Sequence, residues 1–100
     1  MIMIQKPKFQ TGKLLSTPAA LEALSETNQT VMEFVARHVQ GDWGCVCAED
    51  AAANEESIRD GSRILSAYVL KTGVKIWLIT EATDNRGQRS CTTALLASEY

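Results

Sequence analysis

Residues 63–71, RILSAYVLK, and 74–82, VKIWLITEA, decide the fold of this chain. Both runs are rich in β-branched and aromatic residues, and the short break Lys71-Thr72-Gly73 between them has the length and the glycine of a hairpin turn. A second turn, Asp84-Asn85-Arg86-Gly87, leads to SCTTALL at 90–96, which reads as a third strand. The three runs predict an antiparallel β-meander. Alternation along the middle run puts Val74, Ile76, Leu78 and Thr80 on one face and Lys75, Trp77, Ile79 and Glu81 on the other. Large apolar groups on both faces make it the central strand, with helices over one side and a partial cover on the other.

Upstream of the hairpin the pattern turns helical. Residues 48–60, AEDAAANEESIRD, are rich in alanine and acids, with Glu49 and Asp50 at the favourable end of the helix dipole and Gly61 as the stop. Before it stands GDWGCVC at 41–47, where two glycines flank Asp42 and Trp43 and predict a sharp turn that plugs one end of the core with the tryptophan. Val31, Phe34, Val35 and His38 fall at i, i+3, i+4 and i+7, predicting a helix from a Thr27 or Asn28 cap to about Val39. Thr17 followed by Pro18, with Leu21 and Leu24 behind, starts a shorter helix that ends near Ser25. Residues 1–12 read as a flexible arm or edge strand. The expected architecture is a single α+β domain over 1–100, with two or three N-terminal helices packed on a three- or four-stranded antiparallel β-meander.

Composition narrows the function classes. One hundred residues at 45% hydrophobic and 22% charged suit one modest globular core. The start MIMIQKPKFQ lacks the apolar stretch of a signal peptide and no run approaches a membrane span, so the chain is expected to be soluble and cytoplasmic, with no membrane association. A formal charge of −2 disfavours nucleic acid as a partner. A nucleic-acid binder would have to gather Lys6, Lys8, Lys13, Arg86 and Arg89 on one side.

The catalytic side chains are sparse. His38, Cys45, Cys47 and Cys91 are the right types for zinc or for a thiol enzyme, but Cys-x-Cys is neither the usual zinc spacing nor the usual redox pair. The cysteines are expected to act as small apolar filler, and His38 as a partly buried imidazole bonded to backbone. Neither metal nor cofactor is expected. No phosphate-binding glycine loop and no metalloprotease motif occurs. Charge distribution carries more information: from Asp42 to Asp60 six acids stand against Arg59 alone, while the rest of the chain is net basic. Such a segment predicts an acidic patch for a protein partner, formed by Asp42, Glu49, Asp50, Glu55, Glu56 and Asp60, with Trp43, Asn54 and Tyr68 as interface candidates. The competing role for those last three is structural: Trp43 as a core aromatic, and Asn54 tying the acidic helix to a neighbouring strand or loop.

The run GDWG (41–44), then GSRILSAY (61–68), KIWLITEA (75–82) and TTALLASEY (92–100) resembles a family of small proteins of unassigned activity carried on bacterial plasmids, phages and integrated elements. The resemblance covers roughly residues 41–100. It implies a non-enzymatic accessory protein of a mobile element that binds a protein partner, with inhibition of a host defence system as the natural role. A small nucleic-acid-binding protein, or a thiol- or carboxylate-dependent enzyme, is the alternative. The chain is expected to be a monomer or a weak homodimer joined through residues 8–15.

Overall fold

The computed structural model describes residues 6–100. Strand β1 (Lys13–Ser16) leads into α1 (Pro18–Glu26), α2 (Val31–Val39) and α3 (Ala48–Asp60), and these are followed by β2 (Ile64–Val69), β3 (Lys75–Thr80) and β4 (Cys91–Leu96). A single 3-10 turn, Ala97–Glu99, follows β4. No helix among the described residues is long and apolar enough to cross a membrane.

The helix boundaries have local causes. Thr17 caps α1, its hydroxyl accepting from the Ala20 N–H at 3.1 Å, and Pro18 occupies the first turn. Asn28, expected as a cap for the next helix, instead ends this one. It takes a left-handed φ of 57°, its N–H donates to the Ser25 carbonyl, and the Gln29 N–H reaches back to Leu24. That is the Schellman closure, which asparagine tolerates better than any residue but glycine. The cap of α2 therefore moves to Thr30, which accepts from the Glu33 N–H at 3.2 Å. The third helix runs as the sequence predicts, from Ala48 to Asp60, and Gly61 closes it at φ 82°.

The sheet order is β1-β4-β3-β2. Strands β2, β3 and β4 form the expected antiparallel meander, with Ala67 opposite Trp77 and Trp77 opposite Leu95. The sheet as a whole is mixed, correcting the all-antiparallel expectation, because β1 pairs in parallel with β4 from Lys13↔Cys91 to Ser16↔Ala94. Of the arm expected over 1–12, residues 1–5 lie outside the described residues, and the edge strand begins one residue beyond its expected end. Leu14 and Ser16 turn their backbone groups away from β4, since the N–H groups of Lys13 and Thr17 are the ones aimed at it.

Alternation divides the sheet as predicted. Ile64, Ser66 and Tyr68 of β2, Ile76, Leu78 and Thr80 of β3, and Thr92 and Ala94 of β4 are buried beneath the helices. Leu24 of α1 and Phe34, Val35 and Val39 of α2 complete this core. The opposite face is only partly covered; Trp77 there meets the Tyr100 ring at 5.1 Å.

At the far side of the sheet β2 would be an open edge, with Leu65 and Ala67 facing away from β3. Both are paired. The Asn54 side chain clamps Leu65, donating from Nδ2 to its carbonyl at 2.7 Å and accepting its N–H at Oδ1 at 3.1 Å. Ala67 bonds the turn before α3: its N–H donates to the Trp43 carbonyl at 3.1 Å, and its carbonyl accepts from the Cys45 N–H at 2.8 Å. Gly44 lies between them at φ 74°, and a Cβ there would run into the Ala67 carbonyl. Replacing Asn54 with alanine leaves two backbone groups without their partner, so Asn54→Ala should lose about 1–3 kcal/mol in denaturant unfolding. Glu56→Ala, on the opposite face of the same helix, should leave the midpoint unchanged.

Candidate functional site

Helical geometry separates the two sides of α3. Ala51, Asn54, Ser57 and Ile58 turn towards the sheet, and Asn54 and Ser57 are buried. At 100° per residue, Glu49, Glu56 and Asp60 fall within about 40° of one another on the opposite side, forming a stripe about 16 Å long. Ala52 and Ala53 lie between them and leave the stripe in low relief. All three acids are exposed. Glu56 accepts from Arg59 at 2.7 Å, and hydrogen bonding from Ser62, its side chain first and then its N–H at 2.9 Å, lowers the Asp60 pKa. Asp50 is exposed in the first turn of α3. Glu55 sits on the flank, where it accepts the Trp43 indole N–H at 2.9 Å.

The remaining predicted site residues are joined to the fold. Trp43 is buried, as a plug should be, with its ring 6.0 Å from both Phe9 and His38. Asn54 is the edge clamp, and Tyr68 is buried beneath α2 with its hydroxyl donating to the Asp42 carbonyl at 2.7 Å. Burial pushes the Tyr68 hydroxyl up to about 12. The Asp42 carboxylate takes the Arg37 Nε–H at 2.7 Å and the Gly44 N–H at 3.2 Å, and the Arg37 bond is the main cause of its lowered pKa. Arg37 also lies 4.6 Å above the Tyr68 ring. The structure thus brings Glu49, Glu56 and Asp60 into one exposed stripe, and keeps Trp43, Asn54 and Tyr68 out of it.

His38 departs from its expected setting. It is fully buried, and its partners are side chains rather than backbone: Nδ1 meets the Ser66 hydroxyl at 2.5 Å and Nε2 the Thr80 hydroxyl at 2.8 Å. Thr80 continues to Thr92 at 2.7 Å, and Thr92 donates to the Thr11 carbonyl at 2.8 Å. That carbonyl can only accept, so it sets the direction of the whole chain of bonds. Thr92 spends its proton on Thr11, Thr80 donates to Thr92, and His38 donates from Nε2 to Thr80. The lone pair of Nδ1 then accepts from Ser66. A neutral imidazole satisfies this arrangement, and burial together with the charge of Arg89 lowers the His38 pKa to about 4. Ser66 and His38 have the types of a nucleophile and a base, yet both are fully buried and the hydroxyl proton is already committed to the ring.

The cysteines are not core filler: Cys45 and Cys47 are exposed and Cys91 is half-buried. Cys47 caps α3, its Sγ accepting from the Asp50 N–H at 3.4 Å. No three His, Cys, Asp or Glu side chains among the described residues are grouped to hold a metal. Of the basic set, Lys6, Lys8 and Arg89 line one cavity, and Lys13 and Arg86 are exposed outside its wall. Arg86 is exposed on the last turn, whereas Arg89 is buried and donates to the carbonyls of Ser57, Ser62 and Glu81. The hydrogen-bonded roles of Ser66, Thr80 and Thr92, and the burial of Arg89, escaped the sequence reading. For the first three a signal existed, namely hydroxyl residues at inward positions of strands facing a helix that carries histidine.

No family model, curated protein or solved structure matches the chain.

The buried imidazole has a measurable consequence. In the unfolded chain histidine takes up a proton near pH 6.5, whereas in the folded protein it resists until about 4. Stability present above 6.5 is therefore lost as the pH falls to about 4, by roughly 3 kcal/mol, and this contribution is flat below that. Denaturant midpoints measured from pH 7 to 4 should show the fall. In His38→Gln, less stable at pH 7, the loss across this window should shrink by that amount.

Proposed function

We propose that this chain is a non-enzymatic binding protein that presents the outward side of α3 to a basic surface on a protein partner, as an accessory factor of a mobile genetic element. Within that setting, inhibition of a host defence protein is the role that fits a small adaptor without chemistry of its own. The observation that carries this reading is the division of α3: its inner side is held by the Asn54 clamp, and Glu49, Glu56 and Asp60 stand free of that anchoring on the outer side. Complementary charge of this kind raises the rate of encounter and selects against acidic partners. The resemblance of residues 41–100 to mobile-element proteins supplies the biological setting. A nucleic-acid surface is the weaker reading, because the formal charge is −2 and Arg89, which it would need, is buried.

Charge reversal tests the reading. Glu49→Lys with Glu56→Lys touches neither the edge clamp nor the Trp43 bond, so the fold should be kept, with a loss of about 1 kcal/mol from reversing Glu49 at the N-terminus of α3. Association with a partner captured from the bacterial host and then purified should slow at least tenfold, and association of the unaltered protein should slow as salt is raised. Unchanged association and salt dependence would remove α3 from the interface, and binding to DNA or RNA that weakens steeply with salt would favour the nucleic-acid reading.

A further inference from the structure

Residues 6–12 cross one end of the helix-covered face as a strap. The Lys8 N–H donates to the Val39 carbonyl at 2.8 Å, the Phe9 ring stands edge-on to His38 at 5.0 Å, and the Thr11 carbonyl ends the hydroxyl chain. Against the strap lies an open cavity of about 690 Å³, with Lys6, Lys8, Phe9, Val39, Gln88 and Arg89 in its wall. Three cations line it, and none of the described residues lining it is an acid.

Arg89 is the unusual member. It is 6% exposed, and no carboxylate bonds it. Nη1 donates to the Ser62 and Glu81 carbonyls at 2.8 and 2.9 Å, and Nη2 to the Ser57 carbonyl at 2.9 Å. These bonds use three of the five guanidinium N–H donors. The Nε–H has no acceptor among the described residues, and no buried side-chain nitrogen among them lacks a partner. Nε therefore keeps some accessible surface, and Arg89 lines both this cavity and a neighbouring one of about 350 Å³ that has Asp60 in its wall. Three carbonyls hold the guanidinium in place, so a ligand would meet a donor whose side-chain freedom is already lost.

We propose that this cavity binds a small organic anion, a phosphate or carboxylate group on an apolar body. The oxyanion sits on the Arg89 Nε–H, the Lys6 and Lys8 ammonium groups close around it, and the apolar body lies against Phe9 and Val39. The pairing adds a charge-assisted bond to a guanidinium that feels the Asp60 carboxylate but is bonded by no acid. The volume falls within the range of about 300–1,000 Å³ usual for small-molecule sites. The site is separate from the acidic stripe of α3, and its fate does not depend on the protein-binding reading.

Phenyl phosphate, benzoate and neutral benzyl alcohol are the probes, titrated at low ionic strength into the full chain while the Arg89 Nε–H resonance is followed by NMR. Saturable movement of that resonance is expected with at least one of the two anions, and the responsive anion identifies the head group. Benzyl alcohol should bind at least tenfold more weakly than that anion. Lys8 is held to Val39 through its backbone, so Lys8→Ala should keep the fold and weaken the anion at least threefold. Arg89→Gln removes three structural bonds as well as the charge, which makes Lys8→Ala the more discriminating variant. An Arg89 Nε–H unmoved by both anions, equal binding of benzyl alcohol, or undiminished affinity in Lys8→Ala would each overturn the proposal.

Discussion

The open edge of β2 is the constraint around which the second half of the molecule is arranged. An unpaired edge beside a buried strand is both a loss of hydrogen bonding and a template for another chain. Here two short elements close it, the Asn54 amide on Leu65 and the backbone of residues 43–45 on Ala67. The first is a side chain imitating a strand, and the second is a single residue of parallel pairing made possible by Gly44. Because polar bonds set its position, α3 needs no broad apolar stripe. Alanine, asparagine, serine and one isoleucine suffice on the inner side, and the outer side is left to charge.

A second set of polar contacts fixes how the helices lie over the sheet. The chain of bonds from Ser66 through His38, Thr80 and Thr92 to Thr11 crosses β2, α2, β3, β4 and the strap. Apolar packing alone would tolerate sliding of α2, whereas an imidazole with one donor and one acceptor is satisfied in one register. Arg89 does similar work at the other end of α3, joining its last turn to the loops on either side of the β2–β3 hairpin. Satisfied networks of this kind are costly to break, since the low dielectric that strengthens each bond also penalises an orphaned group.

Features with a local cause were legible in the sequence. The β2–β3 hairpin, the limits of α3 with its glycine stop and the buried Trp43 follow from propensity, turn chemistry or period, and the tie from Asn54 was one of two roles its residue type allowed. The misses are contacts between distant segments. Strand β1 is four residues long and lacks a turn to β4, its partner at the other end of the chain, so nothing local signals the parallel pairing. Asn28 is equally suitable as a cap or as a left-handed terminator, and the choice depends on the path between α1 and α2. Arg89 reads as a surface cation until three carbonyls from separate loops converge on it. The acidic segment was visible as composition, but the stripe of Glu49, Glu56 and Asp60 and its freedom from the sheet depended on knowing which side Asn54 holds.

Amide hydrogen exchange, resolved residue by residue, tests the edge closure most directly. The N–H groups of Leu65 and Ala67 should be protected to nearly the degree of the interior β3 amides, whereas Leu14 and Ser16, which face outward from β1, should exchange rapidly. Asn54→Ala should release Leu65 before it affects the centre of β3. Exchange at Leu65 and Ala67 as fast as at Leu14 and Ser16 would contradict the account, because α3 and the 43–45 turn would then not be holding the edge of the sheet.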